Sequence, residues 1–197
     1  MNFQNTREFA QQLDAQDELF KYRDEFLFPS INGKNVIYFT GNSLGLQPKR
    51  TQAYVDEVMN DWAKLAVEGH FYADKPWWDY HERFAVPLSG IMGAKHSEIT
   101  VMNTLTVNLH LMMVSFYRPT PKKYKIICEE KAFPSDQYMF QSQVKFHGFN
   151  PSDAIVEIKR RDGEHNIRHE DIITKIEEVG EELALVLIGG VNYYTGQ

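Results

Sequence analysis

From about residue 99 to residue 190 the chain alternates short β-like runs with helical stretches, and no other feature restricts its fold as far. Ile99-Thr100-Val101-Met102 reads as a strand, Leu105 to Tyr117 as a mostly buried helix, and Tyr124-Lys125-Ile126-Ile127-Cys128 as a second strand. Gln137 to Gly148 reads as helix, Ala154 to Ile158 as strand, and His169 to Val179 as a helix carrying Ile172, Ile173, Ile176 and Val179. Leu183 to Gly190 is the most strand-like run present. Parallel strands need a crossover, and a helix is the usual one, so this rhythm predicts βαβ units and a parallel sheet flanked by helices. The fold class is α/β.

The first half is more helical. Asn5 to about Phe26 reads as one helix ending near Phe28-Pro29 and the Asn32-Gly33 turn. A β-like run, Val36 to Phe39, leads into a turn with glycines at Gly41 and Gly45. From Thr51 onward, Val55, Val58, Met59, Trp62, Leu65 and Ala66 recur on one helical face. An aromatic stretch from Phe71 to Phe84 is expected to turn helical after Pro76 and run towards Gly93. The chain then divides into an arm and turn (1–50), a helical segment (51–95) and a large α/β domain (96–197). That domain is expected to be incomplete, because the sheet is abandoned shortly after a central strand.

With 43% hydrophobic residues in 197, the chain can bury a core. The start lacks an apolar signal region, and no stretch approaches the roughly 20 apolar residues of a membrane span. A single cysteine, Cys128, excludes an internal disulfide. A cytoplasmic protein is therefore expected. A formal charge of −6 argues against a broad nucleic-acid surface. It leaves room for one phosphate bound by backbone N–H groups at a helix start.

Ligands of open α/β sheets gather at the carboxyl ends of strands, which singles out two loops. Asn103-Thr104-Leu105-Thr106 opens a helix and offers hydroxyls and free N–H donors for a phosphate or carboxylate, or simply caps the helix. Glu129 to Asp136 places Phe133 ahead of a proline, where its ring can meet a flat ligand or pack in the core, while Ser135 or Asp136 can cap the next helix. A third candidate is the Gly41–Gly45 turn with His70 downstream. Ser43 and His70 can bond a ligand's polar groups and Trp77 or Trp78 can wall an aromatic substrate, unless these aromatics serve packing or a subunit interface. His165 and His169 lack further ligands for a metal. Cys128 lies in a buried strand beside Glu129 and Glu130, which disfavours a thiolate. Lys159-Arg160-Arg161 reads as a solvated turn.

Taken together, Tyr38-Phe39-Thr40-Gly41-Asn42-Ser43-Leu44-Gly45-Leu46-Gln47-Pro48, Glu68-Gly69-His70, Asn103-Thr104-Leu105-Thr106-Val107-Asn108, Phe133-Pro134-Ser135-Asp136 and Tyr193-Tyr194-Thr195-Gly196-Gln197 closely resemble, in that order, the N-terminal portion of the kynureninase family. The resemblance implies the aspartate-aminotransferase-type fold (pyridoxal-phosphate-dependent transferase-like, fold type I), cut short before the rest of the large domain and the C-terminal small domain. It also implies a homodimer, pyridoxal 5'-phosphate as cofactor, and hydrolysis of the Cβ–Cγ bond of L-kynurenine or its 3-hydroxy form to an anthranilate and L-alanine. By position, Leu105 and Thr106 resemble the phosphate cup, Phe133 the ring that stacks on the pyridine, and Asp136, with Pro134 and Ser135, the segment beside the cofactor. Ser43 and His70 resemble residues near the substrate's aromatic end. The lysine that holds the cofactor falls in no motif present, so this length of chain alone is expected to be inactive. Gly189 stands where some relatives carry a serine, which leaves that phosphate contact open. The competing expectations are another enzyme of the same fold, such as a cysteine desulfurase or aminotransferase relative, and a non-catalytic binding module.

Overall fold

The computed structural model describes residues 2–197, and the chain forms two compact units, one running to Phe84 and the other spanning Ala85–Gln197. In the first unit, helix α1 (Arg7–Gln16) starts where the Thr6 hydroxyl accepts the Phe9 N–H at 3.2 Å. It stops sooner than the sequence predicts. Asp17 leaves the helix in an extended conformation and its carboxylate accepts the Leu19 N–H at 2.9 Å, a local bond that competes with the helical ladder. The chain resumes as a 3₁₀ turn over Phe20–Glu25. A two-residue hairpin follows, β1 (Ser30–Ile31) against β2 (Lys34–Asn35), closed by Asn32 and Gly33 at φ of 51° and 74°. Positive φ at both turn positions matches the twist of the paired strands. The strand expected at Val36–Phe39 does not form. The Val36 N–H reaches Pro29 O at 3.0 Å and ends the pairing, leaving Ile37 and Phe39 at 84% and 89% exposure with no strand beside them.

Helix α2 (Thr51–Leu65) is the one the periodicity predicts, and Val58 and Trp62 on its apolar stripe share a shallow hollow with Trp77. After it comes the short α3 (Gly69–Tyr72). The N–H groups of Trp77 and Trp78 donate to Gly69 O and His70 O at 3.4 and 3.2 Å, drawing the indole of Trp77 over Gly69. A Cβ at Gly69 would lie 2.6 Å from that ring, so the approach demands glycine. Past Pro76 the helix expected from sequence opens as a 3₁₀ turn, Tyr80–Phe84, and is followed directly in sequence by helix Ala85–Met92, which ends just before Gly93 as expected.

The second unit runs α4 (Ala85–Met92), α5 (Leu105–Phe116), β3 (Lys125–Glu129), α6 (Pro134–Phe146), α7 (Pro151–Ala154), β4 (Ile155–Ile158), α8 (His169–Val179) and β5 (Leu183–Leu187). The three long strands form a parallel sheet in the order β4-β3-β5, the α/β architecture predicted. Strand side chains alternate between faces. Ile126 and Cys128 accordingly join Met113 and Tyr117 of the α5 end and Met139, Phe140 and Val144 of α6 in one core, while Ile127, equally buried, points to the other face. The strand expected at Ile99–Met102 is absent: no neighbour offers it a ladder, and Met102 O accepts instead from the Asn108 side chain at 2.9 Å. Helix α5 is also less buried than predicted. It is apolar all round but packs on one stripe, leaving Leu105, Val114 and Phe116 exposed. No helix among the described residues is long and apolar enough to cross a membrane.

Candidate functional site

Two observations fix the direction of α5 relative to α6. Gln143 Nε2 meets His110 Nδ1 at 2.9 Å, and further along both helices the rings of Tyr117 and His147 lie edge to face at 5.4 Å. Both pairings advance in the same sense, so the helices run side by side with their starts at one end. Only four residues, 130 to 133, separate the end of β3 from the start of helix α6, which puts that end at the carboxyl edge of the parallel sheet. Leu105 and Thr106 on one side, and Phe133, Pro134, Ser135 and Asp136 on the other, thus share one edge and one face of the second unit.

At the α5 start no side chain caps the helix, and the first N–H with a backbone acceptor is that of Asn108, bonded to Thr104 O at 3.0 Å. The N–H groups of Leu105 and Thr106 belong to the set that a helix cannot satisfy internally, and they carry the positive end of its dipole. Asn103, at φ of 31°, turns the chain sharply into the helix, and the Asn108 carboxamide holds the preceding carbonyl. The donors of this turn therefore stand open, with the Thr106 hydroxyl among them.

Helix α6 starts differently from the prediction. Pro134 occupies its first position, where a missing N–H costs nothing, so Phe133 is the flanking residue. Ser135 and Asp136 sit inside the first turn rather than capping it, with the Ser135 hydroxyl 3.3 Å from Asp136 Oδ1. A carboxylate in a first turn suits the helix dipole. The Phe133 ring is half exposed and meets Tyr193 edge to face, with centroids 5.1 Å apart at 85°. Of the two readings from sequence, a ring open to a flat ligand and a ring packed in the core, the fully buried one does not hold. One part of the ring is held and the remainder is open.

The same edge carries a cavity of about 350 Å³ lined by Glu130, Lys131, Arg160, His165, Asn192, Tyr193 and neighbouring residues, which follow β3, β4 and β5 in turn. Arg160 pairs with Glu130 at 3.5 Å and Arg161 holds Asp171 at 2.6 Å. Two members of the basic run read as a solvated turn, Arg160 and Arg161, are therefore bound into ion pairs, while Lys159 stays exposed. Arg161 in turn keeps the Asp171 carboxyl below its usual range, through a side-chain hydrogen bond first and charge second. Sequence reading missed the organiser of this loop. Asn192 Oδ1 accepts from the Tyr194 N–H, the Thr195 N–H and the Thr195 hydroxyl at 3.0, 2.9 and 3.1 Å. The available signal was an asparagine three residues before a threonine, the spacing of a side-chain-closed turn.

In the first unit, Ser43 lies in a turn in which its N–H donates to Thr40 O at 2.9 Å. The exposed His70 has Nδ1 2.9 Å from Val67 O and its ring edge to face with Trp77 at 5.4 Å. Nδ1 thus carries the proton if it bonds that carbonyl, leaving Nε2 as the acceptor. Cys128 is buried, and loss of hydration, reinforced by Glu157 and Glu129, pushes its thiol up to about 12. It stays a neutral core residue.

No protein-family model matches the chain. Among curated proteins, it is 80% identical over 197 residues to a kynureninase of Flavobacterium johnsoniae, covering 100% of this chain and 46% of that protein. Against a kynureninase of Myxococcus xanthus the identity is 53% over 196 residues, covering 99% of the chain and 46% of the relative. Against a kynureninase of Homo sapiens it is 45% over 200 residues, covering 95% and 43%. The chain is thus related to kynureninases along its whole length, and it spans about half the length of the curated relatives it matches.

Proposed function

We propose that this relative of the kynureninases is the N-terminal portion of a pyridoxal-phosphate-dependent hydrolase of fold type I, which cleaves the Cβ–Cγ bond of L-kynurenine or 3-hydroxy-L-kynurenine with water to release an anthranilate and L-alanine. The observation that carries the reading is identity of 45% to 81% to kynureninases along essentially the entire chain. The donor chemistry of the second unit supports it. A dianionic phosphate wants N–H and hydroxyl donors at an uncapped helix start, which Leu105 and Thr106 supply. A flat heterocycle wants an aromatic face, which Phe133 keeps half open at the same sheet edge.

In this reading Leu105 and Thr106 grip the phosphate, Phe133 covers the ring, and Pro134, Ser135 and Asp136 line the cofactor's flank. Ser43 and His70 bind the aromatic end of the substrate. Gly189 leaves any phosphate contact a serine there would make to backbone groups. When bound, the cofactor supplies the electron sink that lets a bond next to an amino acid's α-carbon break. The lysine that binds the cofactor covalently and the carboxylate facing its ring nitrogen are assigned to polypeptide outside this chain. The enzyme is read as a cytoplasmic homodimer.

The test uses the full-length protein with added pyridoxal phosphate and L-kynurenine. Equimolar anthranilate and alanine, dependent on the cofactor, are expected. Failure to release anthranilate, with sulfur released from cysteine instead, overturns the substrate assignment in favour of a desulfurase.

A further inference from the structure

The loop that follows β5 is far more ordered than a connection needs to be. Asn192 closes it with three bonds to its carboxamide oxygen, the Asn192 N–H donates to Gln197 O at 2.8 Å, and the Gly196 N–H returns to Asn192 O at 2.9 Å. Gln197 then fastens the loop to the chain before α8, accepting the Ile167 N–H at 2.8 Å and donating to Ile167 O at 2.5 Å. Tyr193, the residue next to the organising asparagine, is the one this frame presents to Phe133.

We infer that Tyr193 is a positioning residue that fixes the orientation of the Phe133 ring so that one face stays free for a planar heteroaromatic ligand. This rests on the reading that Phe133 stacks on the cofactor ring. Phe133 stands just before α6 with roughly half its surface open, and Tyr193 is the aromatic ring it meets. An edge-to-face contact occupies at most one face of a phenyl ring. The contact at 5.1 Å and 85° therefore restrains the ring while leaving a stacking face uncovered. The Tyr193 hydroxyl makes no hydrogen bond among the described residues, so the ring is the part that the contact needs.

The experiment measures, on the full-length protein reconstituted with pyridoxal phosphate, the cofactor dissociation constant and the visible circular dichroism of the bound cofactor. The melting temperature of the cofactor-free protein is recorded beside them. Tyr193→Phe should leave both cofactor readouts as in the wild type. Tyr193→Leu, which keeps apolar bulk without a ring, should weaken cofactor binding by about two- to ten-fold, the range an aromatic pair is worth. It should also cut the visible circular dichroism with little change in melting temperature. In a Phe133→Leu background the Tyr193→Leu substitution should change neither cofactor readout, because no ring remains to be oriented. Wild-type dichroism in Tyr193→Leu, or an effect undiminished in the Phe133→Leu background, overturns the inference while leaving the cofactor reading intact. A wild-type protein that binds no pyridoxal phosphate removes both.

Discussion

Gln143 makes a stability prediction whose sign runs against the usual effect of deleting a buried hydrogen bond. The side chain is 8% exposed inside the α5–α6 interface, its Nε2 is 2.9 Å from His110 Nδ1, and its Oε1 is buried without a partner. Turning the amide over only exchanges which end is orphaned. The bond contributes about 0.5–1.5 kcal/mol, whereas a buried unpaired carbonyl costs about 1–3 kcal/mol. Gln143→Leu removes both terms at nearly constant volume, and His110, only partly buried, can bond water instead. The expected result is a protein of equal stability or up to about 2 kcal/mol more stable. Gln143→Ala also removes the orphan, but it leaves a cavity beside His110 and is expected to cost about 1–3 kcal/mol. Urea denaturation of both variants, compared at constant slope, gives the ordering leucine at or above wild type and alanine below. A Gln143→Leu variant destabilised by more than about 1 kcal/mol would refute the reasoning, since the oxygen must then have a partner worth keeping.

Two further perturbations follow from the same packing. The Cys128 thiol has its pKa raised to about 12 in the fold, so its contribution is complete below the unfolded thiol's value and is lost as pH rises towards about 12. Relative to Cys128→Ala, the wild type should lose stability above about pH 8.5, by at most about 1.4 kcal/mol per pH unit; a difference that stays flat from pH 7.5 to about 10.5 contradicts the burial argument. Gly69→Ala places a methyl group 2.6 Å from the Trp77 ring, and overpacking of this kind costs about 1–3 kcal/mol, more than the helical gain from alanine. Loss of stability by denaturation, recovered when Trp77→Leu is added, is the expected pattern; an unchanged melting profile in the single variant argues against the contact.

Much of the fold was legible because it rests on local signals. The periodicity of α2 and the apolar runs of β3 and β5 each act over a few residues. Those signals failed where a partner decided the outcome. Val36–Phe39 and Ile99–Met102 have strand composition, yet neither found a ladder, and backbone groups without one cannot make a sheet. The long first helix failed at Asp17, whose side chain captured a neighbouring N–H.

The sequence by itself determined the α/β class and the motifs shared with kynureninases, while leaving open whether the Asn103–Thr106 turn caps its helix, which the structure shows uncapped. Only the tertiary structure decided that α5 and α6 run side by side, that Phe133 leans on Tyr193, and that Arg160 turns back to Glu130. The physical reason is separation along the chain. A cap or an apolar stripe is written within a turn or two of backbone, whereas Phe133 and Tyr193 meet only after two crossovers have returned the chain to the same edge of the sheet.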